Sequence, residues 1–130
     1  MASDVQTTTD MGRPTTRQVG ATAESGAAQF LVDRGYRIVE RNFRSKIGEL
    51  DIVAYDRDVL CFIEVRSRGN DRCGDAAMTI TAAKQRRVTR AAYSYLSLRR
   101  VHFAQARFDV VAVTGDQVTL IRDAWRLSTW

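Results

Sequence analysis

Two apolar segments that follow one another almost without a break constrain the fold more than any other feature of the sequence. Residues 48–55 (GELDIVAY) and 59–66 (VLCFIEVR) are rich in the β-branched and aromatic residues of buried strands. The connection between them, either residues 57–58 or residues 56–59, is too short for anything but a tight turn. The sequence therefore predicts an antiparallel β-hairpin near the centre of the chain.

Two acids and one base lie at the open end of this hairpin. Either turn pairs Val53 with Phe62 and Asp51 with Glu64, and side chains that are directly opposed have Cβ atoms about 4.5 to 5.5 Å apart. Two carboxylates that close repel each other unless a cation lies between them, and hard divalent ions take such oxygen ligands. Arg66 shares a face with Glu64 and is placed to contact a phosphate. The pattern predicts a metal site suited to phosphodiester hydrolysis.

A third carboxylate comes from the first predicted helix. Residues 20–34 carry small and apolar side chains at helical spacing, and Gly35 supplies a left-handed stop. Glu24 falls on the same stripe as Ala27 and Leu31, where an acid must be paired, bound to a ligand or at the exposed edge. We therefore expect Glu24 to join the metal site.

Each of these residues also has a purely structural interpretation. Under this interpretation, Glu64 and Arg66 form a salt bridge at a solvated end of the sheet. Asp51 then caps a turn, and Glu24 lies at the edge of an exposed helix. The convergence of all four favours the metal site.

A second helix is predicted from an N-cap at Thr81 to about Leu98. Its first turns carry basic residues that we predict to bind nucleic acid, namely Lys84, Arg86, Arg87 and Arg90. Other predicted elements are an edge strand or extended connection at 36–43, a mobile loop at 67–78, and a hairpin of strands at 107–113 and 117–121.

Composition agrees with a basic, single-domain protein. We expect residues 19–130 to form one domain after a flexible polar tail at residues 1–18. The net charge of +5 favours polyanions such as nucleic acid. The sequence contains neither a membrane span nor a secretory signal, so we expect a cytoplasmic protein without membrane association, in which Cys61 and Cys73 are free thiols. The single His102 and these cysteines have no zinc-site spacing.

Four segments carry a family resemblance: GELDIVAYDRDVLCFIEVRSR, the preceding ERNFRSK, and the later TAAKQRR and RFDVVAV. From residue 20 to residue 113 the chain resembles the YraN-like family of small bacterial proteins, also called UPF0102. That family is similar to the PD-(D/E)XK nucleases, and within them to archaeal Holliday junction resolvases. The resemblance implies an α/β fold with a restriction-endonuclease-like core, a central mixed β-sheet flanked by helices.

The resemblance also implies roles for the residues that match. Glu24 matches the helix glutamate, Asp51 the metal-binding aspartate, and Glu64 the acid of the (D/E)XK motif. Arg66 stands at the lysine position, and Gln85 stands where related nucleases often have a glutamine, although a solvated helix residue explains Gln85 as well. The implied cofactor is Mg²⁺ or Mn²⁺, the implied partner is DNA, and resolvase-like relatives imply a homodimer.

Arginine at position 66 leaves three hypotheses open, because a lysine can titrate and assist the attacking water whereas an arginine stays protonated. The first is a metal-dependent endonuclease that cleaves branched or structured DNA, with water, phosphate or a carboxylate as the base. The second is a non-catalytic nucleic-acid-binding protein of nuclease fold that uses the basic helix. The third is a protein-interaction domain with no nucleic-acid role.

Overall fold

The computed structural model describes residues 16–68 and 80–126, and the side chains of residues 23–67 and 80–126. The elements in chain order are α1 (Thr16–Asp33), β1 (Tyr36–Arg44), β2 (Glu49–Asp56), β3 (Val59–Arg68), α2 (Ala82–Arg99), β4 (Gln105–Thr114) and β5 (Gln117–Trp125). The predicted succession of helix, strand, central hairpin, helix and second hairpin is confirmed.

All five strands form one sheet in the order β1-β2-β3-β4-β5. Strands β3 and β4 are parallel, whereas the other neighbours are antiparallel. A parallel neighbour can be reached only by a crossover, and α2 lies in that crossover. The predicted α/β fold, a mixed sheet flanked by helices with a nuclease-like core, is confirmed.

The central hairpin has the predicted register. Val53 pairs with Phe62, and the two strands are joined by the two-residue turn Arg57-Asp58 rather than by a longer one. Arg57 adopts a φ of 60°, the left-handed conformation that tight hairpin turns require. The site residues therefore lie at the end of the hairpin away from its turn.

Each face of the sheet is covered by one helix. The side chains that pack around α1 include Ile52, Ile63 and Val111, and the thiol of Cys61 is buried and free on this face, as predicted. Those that pack around α2 include Val53, Leu60, Phe62, Phe108 and Tyr95. Burying side chains of this size stabilises the fold by about 1.5–3 kcal/mol each.

Several boundaries differ from the sequence prediction, and β5 continues to Trp125, past its predicted end at residue 121. Strand β3 continues through Ser67 and Arg68, so the prediction of a loop from residue 67 is wrong, because pairing with β4 satisfies the backbone of both residues. Helix α1 begins at Thr16, inside the predicted tail. Two predicted helix boundaries agree with the structure. Gly35, with a φ of 93°, follows the end of α1, and Thr81 is the N-cap of α2.

Residues 1–15, 69–79 and 127–130 lie outside the described residues, and with them Cys73 and most of the predicted tail and loop. Of the helices that the structure describes, neither is long and apolar enough to cross a membrane.

Candidate functional site

Asp51 and Glu64 come together where β2 separates from β3. The ladder between these strands ends at the pair Ile52 and Ile63, whereas β3 stays paired with β4 for the rest of its length. Beyond that pair the backbone N of Val65 donates to Oδ2 of Asp51 at 2.8 Å, and the backbone N of Asp51 donates to Oε2 of Glu64 at 3.4 Å. Hydrogen bonds from backbone N to side-chain carboxyl groups thus replace the backbone ladder at this end of the hairpin.

The two carboxyl groups hold one proton between them near neutral pH. Burial, followed by the negative charge of Asp51, raises the pKa of Glu64 to about 8. Burial also raises the pKa of Asp51, against the effect of the bond from Val65. The side chain of Glu64 in turn lowers the pKa of Asp51, so Glu64 is the more basic member of the pair. A divalent cation is the natural replacement for that proton.

Lys84 reaches the pair from the first turn of α2. Its Nζ lies 3.6 Å from Oε1 of Glu64, and its side chain is 42% exposed whereas that of Glu64 is 4% exposed. The charge of Lys84 lowers the pKa of both carboxyl groups, an effect smaller than that of burial. The ammonium group is therefore part of the carboxylate site and not only of the basic face of the helix.

Glu24 lies beside the pair without joining it. Burial, followed by the charge of Asp51, raises the pKa of Glu24, while Arg41, Arg44 and a hydrogen bond with the side chain of Asn42 lower it. Asn42 has a φ of 56°, a left-handed conformation that asparagine tolerates better than most residues. The third predicted acid is thus held next to Asp51 by a residue of β1.

Arg66 and Gln85 have different surroundings. Arg66 is half-buried on β3, two residues after Glu64 and therefore on the same face of the strand. Gln85 donates from Nε2 to the backbone oxygen of Ile80 at 2.9 Å, a bond that supports the start of α2. No contact among the described residues joins Gln85 to the carboxyl pair, and its catalytic role stays a prediction.

The remaining predicted cations are exposed along α2. Arg87 lies three residues after Lys84 and so continues the same side of the helix, while Arg86 and Arg90 lie four residues apart on an adjoining side. A cationic surface therefore leads from the carboxyl pair outward into solvent.

Comparison with known proteins gives the family that the motifs suggested. The family model described as "Uncharacterised protein family UPF0102" matches residues 23–113. The chain belongs to the UPF0102 family. A UPF0102 protein of Desulfosudis oleivorans is 45% identical over 111 residues, which cover 84% of this chain and 90% of the relative. One from Nitrosococcus oceani is 43% identical over 122 residues, covering 88% and 97%, and one from Syntrophus aciditrophicus is 40% identical over 115 residues, covering 85% and 91%.

The donors at this site of the UPF0102 chain are those that hard divalent cations prefer. Among the side chains of residues 23–67 and 80–126, no three acids, histidines or cysteines are grouped closely enough to hold a metal. Asp51 and Glu64 are the two acids in contact here, and Glu24 lies beside Asp51. Mg²⁺ commonly binds one or two carboxylates and completes its shell with water and substrate phosphate, so the donor set fits such an ion.

Two contributors to the site of this UPF0102 protein were not found by sequence analysis. Lys84 was assigned only to the basic face, because helical periodicity does not say which turn of a helix meets which strand. Asn42 was passed over inside a strand pattern, although asparagine is unfavourable in strands and such a residue marks an irregularity.

Proposed function

We propose that the protein is a Mg²⁺- or Mn²⁺-dependent endonuclease that hydrolyses phosphodiester bonds in branched or structured DNA. The observation that carries the proposal is the close approach of two acids, the half-buried Asp51 and the buried Glu64, with the backbone N of Asp51 3.4 Å from Oε2 of Glu64. Two acids this close destabilise a fold, and a divalent cation offsets that repulsion. The pair lies at the end of the sheet where a basic helix begins.

A second buried acid in the same sheet provides the contrast. Asp109 is 0% exposed, and its carboxylate accepts bonds from Nε of Arg107 at 2.8 Å and from the hydroxyl of Tyr36 at 2.9 Å. That arrangement is what a purely structural buried acid requires, a matched cation and filled acceptor positions. Glu64 has instead a second carboxyl group and a lysine at 3.6 Å. The difference favours a ligand-binding role for Glu64.

Each residue of the site has a role in the proposed reaction. The cation, when bound, polarises a phosphoryl oxygen and lowers the pKa of coordinated water. Asp51 and Glu64 would hold the ion, and Glu24, beside Asp51, would add a third negative charge close to it. The ammonium group of Lys84 would orient the attacking water, and the guanidinium group of Arg66 would bind the phosphate. Lys84 would thereby supply the ammonium group that an arginine at position 66 lacks.

Cleavage of four-way, flap and linear substrates with Mg²⁺ or Mn²⁺ tests the proposal. We expect cleavage of branched DNA that Asp51→Asn abolishes, and a loss of at least about 100-fold for Lys84→Gln, the range for a residue that assists proton transfer. Asp58→Asn, which changes an exposed acid in the turn at the far end of the hairpin, is the matched control and retains activity. Wild-type protein that cleaves no better than Asp51→Asn contradicts the proposal.

A second candidate is a non-catalytic nucleic-acid-binding protein of the same fold. It is favoured by Arg66 at the motif lysine position and by the grouping of only two acids among the described side chains. In that case Arg86, Arg87 and Arg90 bind phosphates, and log K falls by about 0.9 per phosphate neutralised for each tenfold rise in salt. Salt-dependent binding without cleavage by wild-type protein identifies this function, and cleavage restored in Arg66→Lys would assign the lost activity to the arginine.

A further inference from the structure

The turn between β1 and β2, residues 45–48, is built around one side chain. Oγ of Ser45 accepts bonds from the backbone N of Ile47 at 3.2 Å and of Gly48 at 3.3 Å. The same hydroxyl donates to the backbone oxygen of Gly48 at 3.2 Å, and the backbone N of Ser45 donates to that oxygen at 2.9 Å. These bonds hold the turn in one conformation.

The turn is also fixed against α2. A Cβ atom on Gly48 would lie 3.2 Å from Cβ of Ala91 and 3.3 Å from the backbone oxygen of Arg87, so the missing side chain lets the turn lie directly on the helix. Arg87 follows Lys84 on the same side of α2, and Lys84 contacts Glu64. The turn therefore extends the cationic surface of α2 at the site end of the sheet.

The tip of this turn carries an exposed isoleucine next to a lysine. Ile47 is 57% exposed and Lys46 beside it is exposed. At the base of the turn, Nε of Arg44 lies 3.9 Å from Oε1 of Glu49, so that cation is paired with an acid. Single exposed apolar residues are common on protein surfaces. Ile47 differs because its turn is held by the bonds of Ser45, carries Lys46 at its tip, packs on the basic helix α2 at Gly48, and enters β2 two residues before Asp51. A turn that only joined two strands would favour a polar tip.

We propose that Ile47 is a wedge that inserts at unstacked bases and so selects branched or distorted DNA, while Lys46 and the exposed Arg87 of α2 bind neighbouring phosphates. This inference rests on the nucleic-acid role proposed above and assigns its structural specificity to the β1–β2 turn. Apolar side chains on rigid elements enter base steps that are already weakened, because unstacking costs least there. Linear duplex offers no such step, so Ile47 contributes little to its binding.

Binding in EDTA tests the wedge without cleavage. The probes are a four-way junction with 2-aminopurine at the branch point and a linear duplex with the same label. We expect wild-type protein to raise 2-aminopurine fluorescence on the junction. Ile47→Ala abolishes that rise and weakens junction affinity about tenfold, while linear affinity changes less than about twofold. Ile47→Leu retains both effects.

Two further variants separate the wedge from charge and from general surface hydrophobicity. Lys46→Gln weakens both substrates alike, because phosphate contacts carry no structural specificity. Leu98→Ala removes another exposed apolar side chain, 60% exposed in the last turns of α2, and leaves both affinities unchanged.

The outcomes for the wedge and for the nuclease are distinguishable. Junction binding that is unchanged in Ile47→Ala, or that falls equally on both probes, overturns the wedge even if metal-dependent cleavage is present. Wild-type protein that does not prefer the junction overturns it as well. A junction preference that depends on Ile47, without cleavage in Mg²⁺, supports the wedge and contradicts the nuclease.

Discussion

The backbone N–H of Val65 donates to the carboxylate of Asp51 across the point where β2 and β3 part. In this 2.8 Å bond, Oδ2 of Asp51 accepts the hydrogen bond that a backbone oxygen of β2 would accept if the ladder continued. Its carboxyl group is therefore positioned by the fold and not by a ligand. Such preorganisation is what a metal-binding or catalytic carboxylate needs.

The stability of the metal-free protein falls as pH rises. The pKa of Glu64 is about 8 in the folded protein against an ordinary 4.5, so between these values the folded state binds a proton that the unfolded state has lost. The free energy of unfolding therefore decreases over this interval, by at most about 1.4 kcal/mol per pH unit. Urea denaturation in EDTA between pH 5 and 8 measures the slope.

Glu64→Gln is the control for that slope, because an amide cannot titrate. We expect it to flatten the dependence of stability on pH, while Asp58→Asn, in the exposed turn, leaves the slope as in wild type. Parallel curves for wild type and Glu64→Gln would show that Glu64 is ionised throughout the folded state.

Binding of Mn²⁺ near pH 7 releases about one proton, because the ion replaces the proton that Asp51 and Glu64 share. Calorimetric titrations in buffers of different ionisation enthalpy count the protons released. The number falls toward zero above pH 9, where the pair is already ionised, and Glu64→Gln releases none. Equal heats in all buffers at pH 7 would contradict the shared proton.

The buried acid on the other side of the sheet is predicted to be essential for stability. Asp109→Ala leaves Arg107 without its main partner and removes the acceptor for Tyr36 and for the backbone N of Asp123. We expect the free energy of unfolding to fall by about 3–5 kcal/mol, the range for breaking a buried pair. Asp116→Ala, an exposed acid in the β4–β5 turn, should change it by less than about 0.5 kcal/mol. Urea denaturation of both variants decides the matter.

Substitutions of Asn42 separate its backbone role from its side-chain role. With a φ of 56°, Asn42→Ala is expected to be about 1 kcal/mol less stable than Asn42→Gly, since only glycine adopts this conformation freely. Both variants lose the hydrogen bond to Glu24, so both should show the same change in Mn²⁺ affinity. Different affinities in the two variants would mean that the backbone of β1, and not the amide, positions Glu24.

Local sequence patterns were sufficient for the central hairpin. Apolar alternation and a two-residue turn determine that Val53 faces Phe62, and from that register the proximity of Asp51 and Glu64 follows. The pattern did not show that the ladder ends one pair earlier, at Ile52, because local alternation fixes the register of a hairpin and not its length.

Contacts between distant segments account for what the sequence did not show. Arg107 and Asp109 alternate on one strand and invite pairing, but their partners Tyr36 and Asp56 lie more than fifty positions away. The contact between Lys84 and Glu64 likewise depends on how the crossover places α2 over the sheet. Neither the partners of Arg107 and Asp109 nor the contact between Lys84 and Glu64 can be read from the hydrophobic periodicity of the segments involved.

The early end of the ladder between β2 and β3 also predicts how the sheet opens. The hairpin is closed by backbone bonds from its turn up to Ile52 and Ile63, whereas the amide of Asp51 donates to the side chain of Glu64, at 3.4 Å. In hydrogen exchange that amide should become labelled before those of the paired core residues, so fraying of the hairpin begins at the carboxyl pair. A bound cation would then join β2 to β3 at the end of the hairpin that opens first.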